Sequence, residues 1–401
     1  MLSFSMRAVR HLAFGIALLT GMAANSQGWL GTTTGKLPQL ALSQGTDRLG
    51  NAKAGYIDSG LQVMVVDSAG PQYKLKLAAQ RTAYLDKAFV QRPPAPRKGA
   101  PPANSPLPAP ALMESWLATG SPTHDTVYIT LNRPVPYTSW METQPAAIMV
   151  ELYNVQSNTN WINQLSSATG IAGLSWRQTE SDVVQLRIQL HQQQHLGYQI
   201  GYQQGRLQII IKRIPLKPRL KNMRIAIDAG HGGTNQGAQG VNTKVYEKDQ
   251  TLLLAKALQT ELEKHGVTTF MVRSADTTID NKDRVLMLQQ WQPDALISIH
   301  LNSSSRSTAK GVSTYYRHTA FRPLSQFILE EMLDIDGLTE FGNIGSFNFT
   351  PIQPTQYVSC LLEVAFLSNP QDEQLILQPD FATRLAMQVY QGLLLWARQL
   401  Q

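Results

Sequence analysis

Between Pro93 and Pro110 the chain carries eight prolines among alanine, arginine and serine. Regular structure does not pass through such a stretch, because proline fixes its own φ and lacks a backbone donor. Its composition predicts an extended, semi-rigid spacer over 93–112. The 401 residues therefore have to fold as separate units on either side of it. A second boundary lies at Pro215–Lys221, where Pro215 and Pro218 part the strand-like 207–212 run from the next apolar stretch. Two or three domains fit this length.

Before the spacer, Leu61–Val66, Tyr73–Leu77 and Thr82–Leu85 are short alternating or β-branched runs split by Gly and Pro, the pattern of a small antiparallel barrel over 33–92. Their order, with Gly55-Tyr-Ile-Asp-Ser-Gly60, Tyr73-Lys-Leu-Lys-Leu77 and Ala83-Tyr-Leu-Asp-Lys87, resembles bacterial Src-homology-3-like wall-binding modules. A generic β-scaffold without a ligand is the alternative reading. After the spacer, Val127–Leu131, Ala147–Leu152, Val183–Leu190 and Leu207–Ile211 are again strands parted by polar turns. That region, 118–214, is similar to an AMIN domain, a β-sandwich that targets the wall or septum in amidases and secretion proteins.

From Met223 the periodicity changes. Arg224–Asp228, Val267–Val272, Ala295–Ile299, Val312–Tyr316 and Val358–Phe366 read as strands. Between and after them lie helical segments at Val245–His265, Asp283–Trp291, Leu324–Leu333 and Phe381–Leu400. Alternating strands and helices predict an α/β domain over 221–401, with a mainly parallel sheet flanked by helices. The expected fold class is thus two small all-β domains followed by an α/β domain.

Four polar residues in this last domain sit where packing alone does not want them. His231 follows a hydrophobic strand among glycines, Glu247 opens a helix, His300 ends a strand, and Glu363 interrupts the apolar run Ser359–Phe366. The carboxyl ends of parallel strands collect active sites. Two imidazoles and one carboxylate are a ligand set for catalytic zinc with a position left for water. A further carboxylate can take a proton from that water and pass it to a leaving nitrogen. Glu363 is the candidate, since a carboxylate inside an apolar strand needs a compensating partner. Each residue also has a plain structural reading: a turn histidine, a helix-dipole carboxylate, a hydrogen-bonded core histidine, and an ion-pair partner for Arg273 or Arg284.

The segments Asp228-Ala-Gly-His-Gly-Gly233 with Gly237-Ala238, Glu247-Lys-Asp249, Val272-Arg273, Asp283-Arg284, Ser298-Ile-His-Leu-Asn302, Gly311 and Leu362-Glu-Val-Ala-Phe-Leu-Ser-Asn369 resemble the zinc-dependent N-acetylmuramoyl-L-alanine amidases of the AmiA/AmiB/AmiC type. The resemblance covers 223–401 and follows the family's order. It implies one Zn2+ held by His231, Glu247 and His300, with Glu363 as the catalytic glutamate. It also implies hydrolysis of the amide joining N-acetylmuramic acid to L-alanine in peptidoglycan, as in wall remodelling and daughter-cell separation. Asn302, Arg284 and Asp228 are weaker candidates: Asn302 for water or substrate or simply a strand end, Arg284 for a stem carboxylate or a structural pair with Asp228 or Asp283, and Asp228 as a partner to a ligand histidine. Other zinc wall hydrolases, a peptidase or a deacetylase, share the chemistry, and a non-catalytic wall-binding adaptor is the alternative from another class.

Some family members carry an inserted helix that plugs the metal. Here 62 residues separate His300 from Glu363. A strand and a helix use many of them and leave 334–356 as a substrate-side loop. An open site is expected, with no metal contact from Glu330, Glu331 or Glu340.

Arg7, Arg10 and His11, then the apolar run Leu12–Ala24, then Ala23, Ala24 and Ser26 have the layout of a cleaved secretory signal over 1–26. An exported protein of the periplasm or cell envelope, with no transmembrane anchor after cleavage, is expected. Cys360 is the single cysteine and reads as a small buried hydrophobe. Residues 1–220 hold 20 Lys and Arg against 10 Asp and Glu, while 221–401 hold 15 against 18. The basic front suits an anionic polymer such as the wall, although charge alone would equally serve nucleic acid or a membrane surface. No aromatic-interleaved basic stripe favours nucleic acid. Peptidoglycan is the expected partner, with a divisome or envelope protein as a possible recruiter.

Overall fold

The computed structural model describes residues 28–45, 52–93 and 107–400. The expected export signal and most of the proline-rich stretch lie outside these residues.

The described residues between Trp29 and Gln91 form one seven-stranded antiparallel sheet. Its core is built on Leu40, Leu75 and Leu85, which are fully buried. The second domain opens with the strand Ala111–Gly120, two residues inside the expected spacer, because Ala111, Met113 and Trp116 already face inward. Its four-stranded and six-stranded sheets enclose a core that includes Trp116, Ile129, Leu186 and Ile209. The strand His124–Leu131 alternates strictly between half-buried and buried positions, as a half-exposed sheet requires.

The spacer does not hold these two domains apart. Tyr153 and Val183 of the sandwich belong to the hydrophobic core of the first domain. The Tyr137 hydroxyl donates to Asp58 at 2.9 Å, and Ala79 N–H donates to the Asp182 carboxylate at 2.6 Å. Proline content limits the path of the connecting chain but says nothing about the apolar surfaces at its two ends.

The C-terminal domain is a six-stranded mixed sheet, ordered Thr268–Met271, Arg224–Ala229, Ala295–Asn302, Val358–Phe366, Val312–Tyr315, Glu340–Ile344. Its neighbours run parallel except for Val312–Tyr315 against Val358–Phe366. Helices α1 (Glu247–Lys264), α3 (Arg322–Met332) and α5 (Phe381–Gln399) cover one face, packed on Ile225, Ile227, Ile297, Ile299 and Leu362. The other face, with Ala226, Leu296 and Leu361, is covered by α2 (Asn281–Trp291) and by the segment 345–357, through Leu288, Ile352 and Tyr357. Cys360 is fully buried and its thiol is pushed far up by burial.

Two elements differ from the periodicity reading. Glu340–Ile344 is a strand inside the expected loop 334–356. Its five residues are exposed or half-buried and show no alternation, so only pairing with Val312–Tyr315 defines it. Pro370–Ile376 is a short helix, α4, whose Asn369 side chain accepts from the amides of Gln371 and Asp372. Among the described residues no helix is long and apolar enough to cross a membrane.

Helices α3 and α5 meet at Gly392, where an added Cβ would lie 2.6 Å from the Ile328 Cα. Helix propensity alone credits Gly392→Ala with roughly 1 kcal/mol. Overpacking against backbone costs about 1–3 kcal/mol, and the clash here is with a Cα that cannot rotate away. A lower thermal midpoint than the parent chain is the expected result.

Candidate active site

At the end of Arg224–Ala229 the chain turns through Gly230 to His231, which adopts the left-handed conformation at φ +60. That conformation is costly for a residue with a Cβ and persists only when its surroundings over-determine it. Here they do. Arg273 donates to the carbonyls of Ala229 and Gly230, each at 2.8 Å, and to Lys248 O at 2.7 Å. Arg284 donates to Ala229 O at 2.9 Å and to His231 O. Gly230 is required as glycine, because a Cβ there would stand 2.4 Å from the His300 ring.

His300, on the neighbouring strand, is in register with Glu363 on Val358–Phe366. Registered residues of adjacent strands share a face at about 5 Å. Glu363 therefore stands beside His300, on the face that also carries Leu296 and Leu361. Glu247 enters from the first turn of α1 and is almost fully buried.

One carboxylate oxygen gathers the cluster. Oε1 of Glu247 lies 3.0 Å from His231 Nε2 and 3.1 Å from His300 Nδ1, and it accepts Leu301 N–H at 3.0 Å. Its Oε2 accepts Ala238 N–H at 2.8 Å. Burial opposes ionisation of Glu247, but the contacts from His231 and His300 outweigh it and hold the carboxyl well below the usual carboxylate range. Burial likewise opposes a charge on His231, and Glu247 more than offsets it. His231 Nδ1 is 2.9 Å from the Asn235 amide oxygen, an acceptor, so the proton of a neutral ring sits on Nδ1 and Nε2 turns its lone pair to the centre. Nε2 of His300 is buried with no hydrogen-bond partner, which leaves a nitrogen of that ring for a ligand.

The candidate ligand atoms of His231, Glu247 and His300 all lie within 4.8 Å of one another. Two imidazoles and a carboxylate converging on one buried point suit a divalent cation. Glu330, Glu331 and Glu340 are outside this group.

The N-acetylmuramoyl-L-alanine amidase family profile matches residues 225–394, and the AMIN domain profile matches 117–211. The C-terminal domain belongs to the N-acetylmuramoyl-L-alanine amidase family. The probable cell wall amidase LytH of Staphylococcus aureus is 36% identical to it over 172 residues, which are 42% of this chain and 57% of LytH. The chain thus spans little more than half the length of the curated relatives it matches. Among solved structures, the catalytic domain of CwlV, an N-acetylmuramoyl-L-alanine amidase from Bacillus (Paenibacillus) polymyxa var. colistinus, is 32% identical, covering 44% of this chain and 98% of that one with a TM-score of 0.42. The N-acetylmuramoyl-L-alanine amidase from Clostridium difficile 630 is 30% identical, covering 44% and 97%, with a TM-score of 0.43.

Within the amidase domain the three weaker candidates sit apart from the convergent group. Asp228 contacts no ligand histidine: its carboxylate takes Arg284 on one oxygen and the Ser298 hydroxyl, at 2.8 Å, on the other. Arg284 is buried, and its donors go to Asp228 and to the carbonyls of Ala229, His231 and Ile279. Asn302 accepts the N–H of Ser303 at 2.8 Å, a strand-end arrangement. Buried acids cannot go without donors, and Asp228 finds them in a neighbouring strand and in α2 rather than at the metal group.

Other residues build the amidase site without having been singled out. Thr251 donates to Gly230 O at 2.8 Å, and its place on the inward stripe Glu247, Thr251, Leu254, Leu258 was the signal available in the sequence. Phe349 stands edge-on to the His300 ring, centroids 5.1 Å apart. Nothing in the local pattern around Phe349 marks it, because its position depends on how the segment 345–357 lies over the sheet.

Gly237 tests the cradle. It has φ +68, and a Cβ there would lie 2.5 Å from Glu247 Oε2 and 2.8 Å from His231 Cδ2. Gly237→Ala is expected to weaken metal binding about 10–100-fold, the range for losing a support of the ligands. Gly173→Ala, with nothing within 4 Å of the new methyl, leaves binding unchanged; a titration of apo-protein with zinc compares the two.

Proposed function

We propose that the chain is an exported zinc-dependent amidase that releases peptide stems from peptidoglycan by cleaving the bond between N-acetylmuramic acid and L-alanine. The observation that carries this reading is the convergence of His231, Glu247 and His300 on one buried point, in an amidase-family domain, with Glu363 in register beside His300. His231, Glu247 and His300 hold the ion. When bound, zinc polarises a carbonyl and brings the pKa of water to about 7.

The chain's own groups do the rest. Asn235 keeps His231 in the tautomer that presents Nε2. The amides of Ala238 and Leu301 hold the Glu247 carboxylate in place. Glu363 accepts the proton of the attacking water and returns it to the departing alanine nitrogen, so its carboxylate is regenerated in each cycle. Arg284, Asp228 and Asn302 act by support: the first two hold the turn that carries His231, and Asn302 closes the strand that carries His300. The site is open without an activator.

The AMIN domain and the basic N-terminal half direct the enzyme to insoluble wall. The first domain acts as a Src-homology-3-like wall module, and an envelope or divisome protein recruits the whole. The periplasm or cell envelope is the compartment.

Digestion of purified peptidoglycan with mass analysis of the products decides the bond. Intact stems beginning with L-alanine, lost on chelation and restored by zinc, are expected. Free acetate or shortened peptides would instead identify a deacetylase or a peptidase. Glu363→Gln is expected to slow release about 10²–10⁴-fold with bound zinc retained; an active variant removes Glu363 from its role.

A further inference from the structure

The segment 345–357 covers the sheet face that carries His300 and Glu363, and it supplies Phe349 at the His300 ring. It has little regular structure, one 3-10 turn at Thr350–Ile352. Yet Pro351, Ile352, Gln353 and Pro354 are all buried, whereas loops ordinarily run over the surface. Both N-terminal domains bury it.

From the first domain, Gln39 pairs with Gln353, and Lys53 Nζ reaches Asn348 O at 3.5 Å. From the sandwich, Tyr198 exchanges two hydrogen bonds with Thr355: its N–H donates to Thr355 O at 2.8 Å, and the Thr355 hydroxyl donates to Tyr198 O at 2.9 Å. Gly197 allows that approach, since a Cβ there would stand 2.6 Å from Thr355 O. Arg317 ties the first domain to this segment, donating to Lys53 O at 2.6 Å and to Ser346 O at 3.1 Å. Ser346 holds a left-handed φ of +57, and such a residue needs its neighbours to keep it there.

We infer that the two β-domains complete the substrate cleft of the amidase domain by clamping 345–357 against the sheet, with Arg317 and Gln39 as positioning residues for the wall that Phe349 presents. The first domain is then a structural part of the active site as well as a targeting module. A loop freed on its outer side samples more conformations, and a substrate has to re-order it on binding. That cost falls on substrate affinity, whereas the metal group and Glu363 are built by the sheet, α1 and the turn at His231 and stay in place.

This inference rests on the proposed amidase activity only for its kinetic arm. The test uses the full chain carrying Arg317→Met, which removes the bonds to Lys53 O and Ser346 O, and, separately, Gln39→Ala, which removes the pair with Gln353. Backbone hydrogen exchange at 345–353 is expected to quicken about tenfold. The KM for solubilised peptidoglycan is expected to rise about five- to tenfold, with kcat and bound zinc within about twofold of the parent. Unchanged exchange in both variants overturns the clamp, and faster exchange with unchanged KM overturns its part in the cleft. A parent chain that releases no stem peptide overturns the assigned activity instead, and the exchange data alone then decide the clamp.

Discussion

The contact on which the site depends is the approach of two imidazoles to one oxygen of Glu247. Three electron-rich groups held this close in a buried place repel one another unless protons or a cation lie between them. Much of the surrounding structure supplies the restraint. The amides of Ala238 and Leu301 stabilise the carboxylate. Arg273 and Arg284, two buried cations, spend their donors on carbonyls of the His231 turn. Glycine at 230 and 237 leaves room for rings and carboxylate to close in. Such restraint suits a group of side chains that could hold a metal.

The sheet divides its labour by face. One face is a conventional core under three helices, with the isoleucines and leucines of α/β packing. The other turns polar toward the carboxyl ends of its strands, through Asp228, Ser298, His300 and Glu363, and has only α2 and an irregular segment over it. A face left thin for chemistry is poorly protected by its own domain. The N-terminal half packs on that segment, so the two β-domains are packed against the amidase-family domain.

Much of this was legible in the residues. The strands and helices from 224 onward stand close to where their periodicity placed them, since a buried strand and an amphipathic helix each declare their spacing. His231, Glu247, His300 and Glu363 were conspicuous because each sits where packing alone would want something else. What was not legible had no local signature. Glu340–Ile344 is a strand only through its neighbour, Phe349 reaches His300 from the segment laid over that face of the sheet, and Asp228, whose pair with Arg284 was one of the expected readings, takes the Ser298 hydroxyl instead of a histidine. The proline-rich stretch was read as a boundary from its composition, and composition says nothing of the apolar contacts through which the domains on either side share a core.

By itself, then, the sequence determined the element types, the division into β-rich and α/β halves, and the identity of the ligand-type side chains, because all of these follow from spacing and residue chemistry along the chain. Tertiary structure alone decided which polar residues face the metal group and which hold its turn, what covers the active face, and that the N-terminal domains are part of that cover. These depend on contacts between residues tens to hundreds of positions apart, such as Arg317 with Lys53 or Tyr198 with Thr355, and no local pattern encodes which of many possible partners wins.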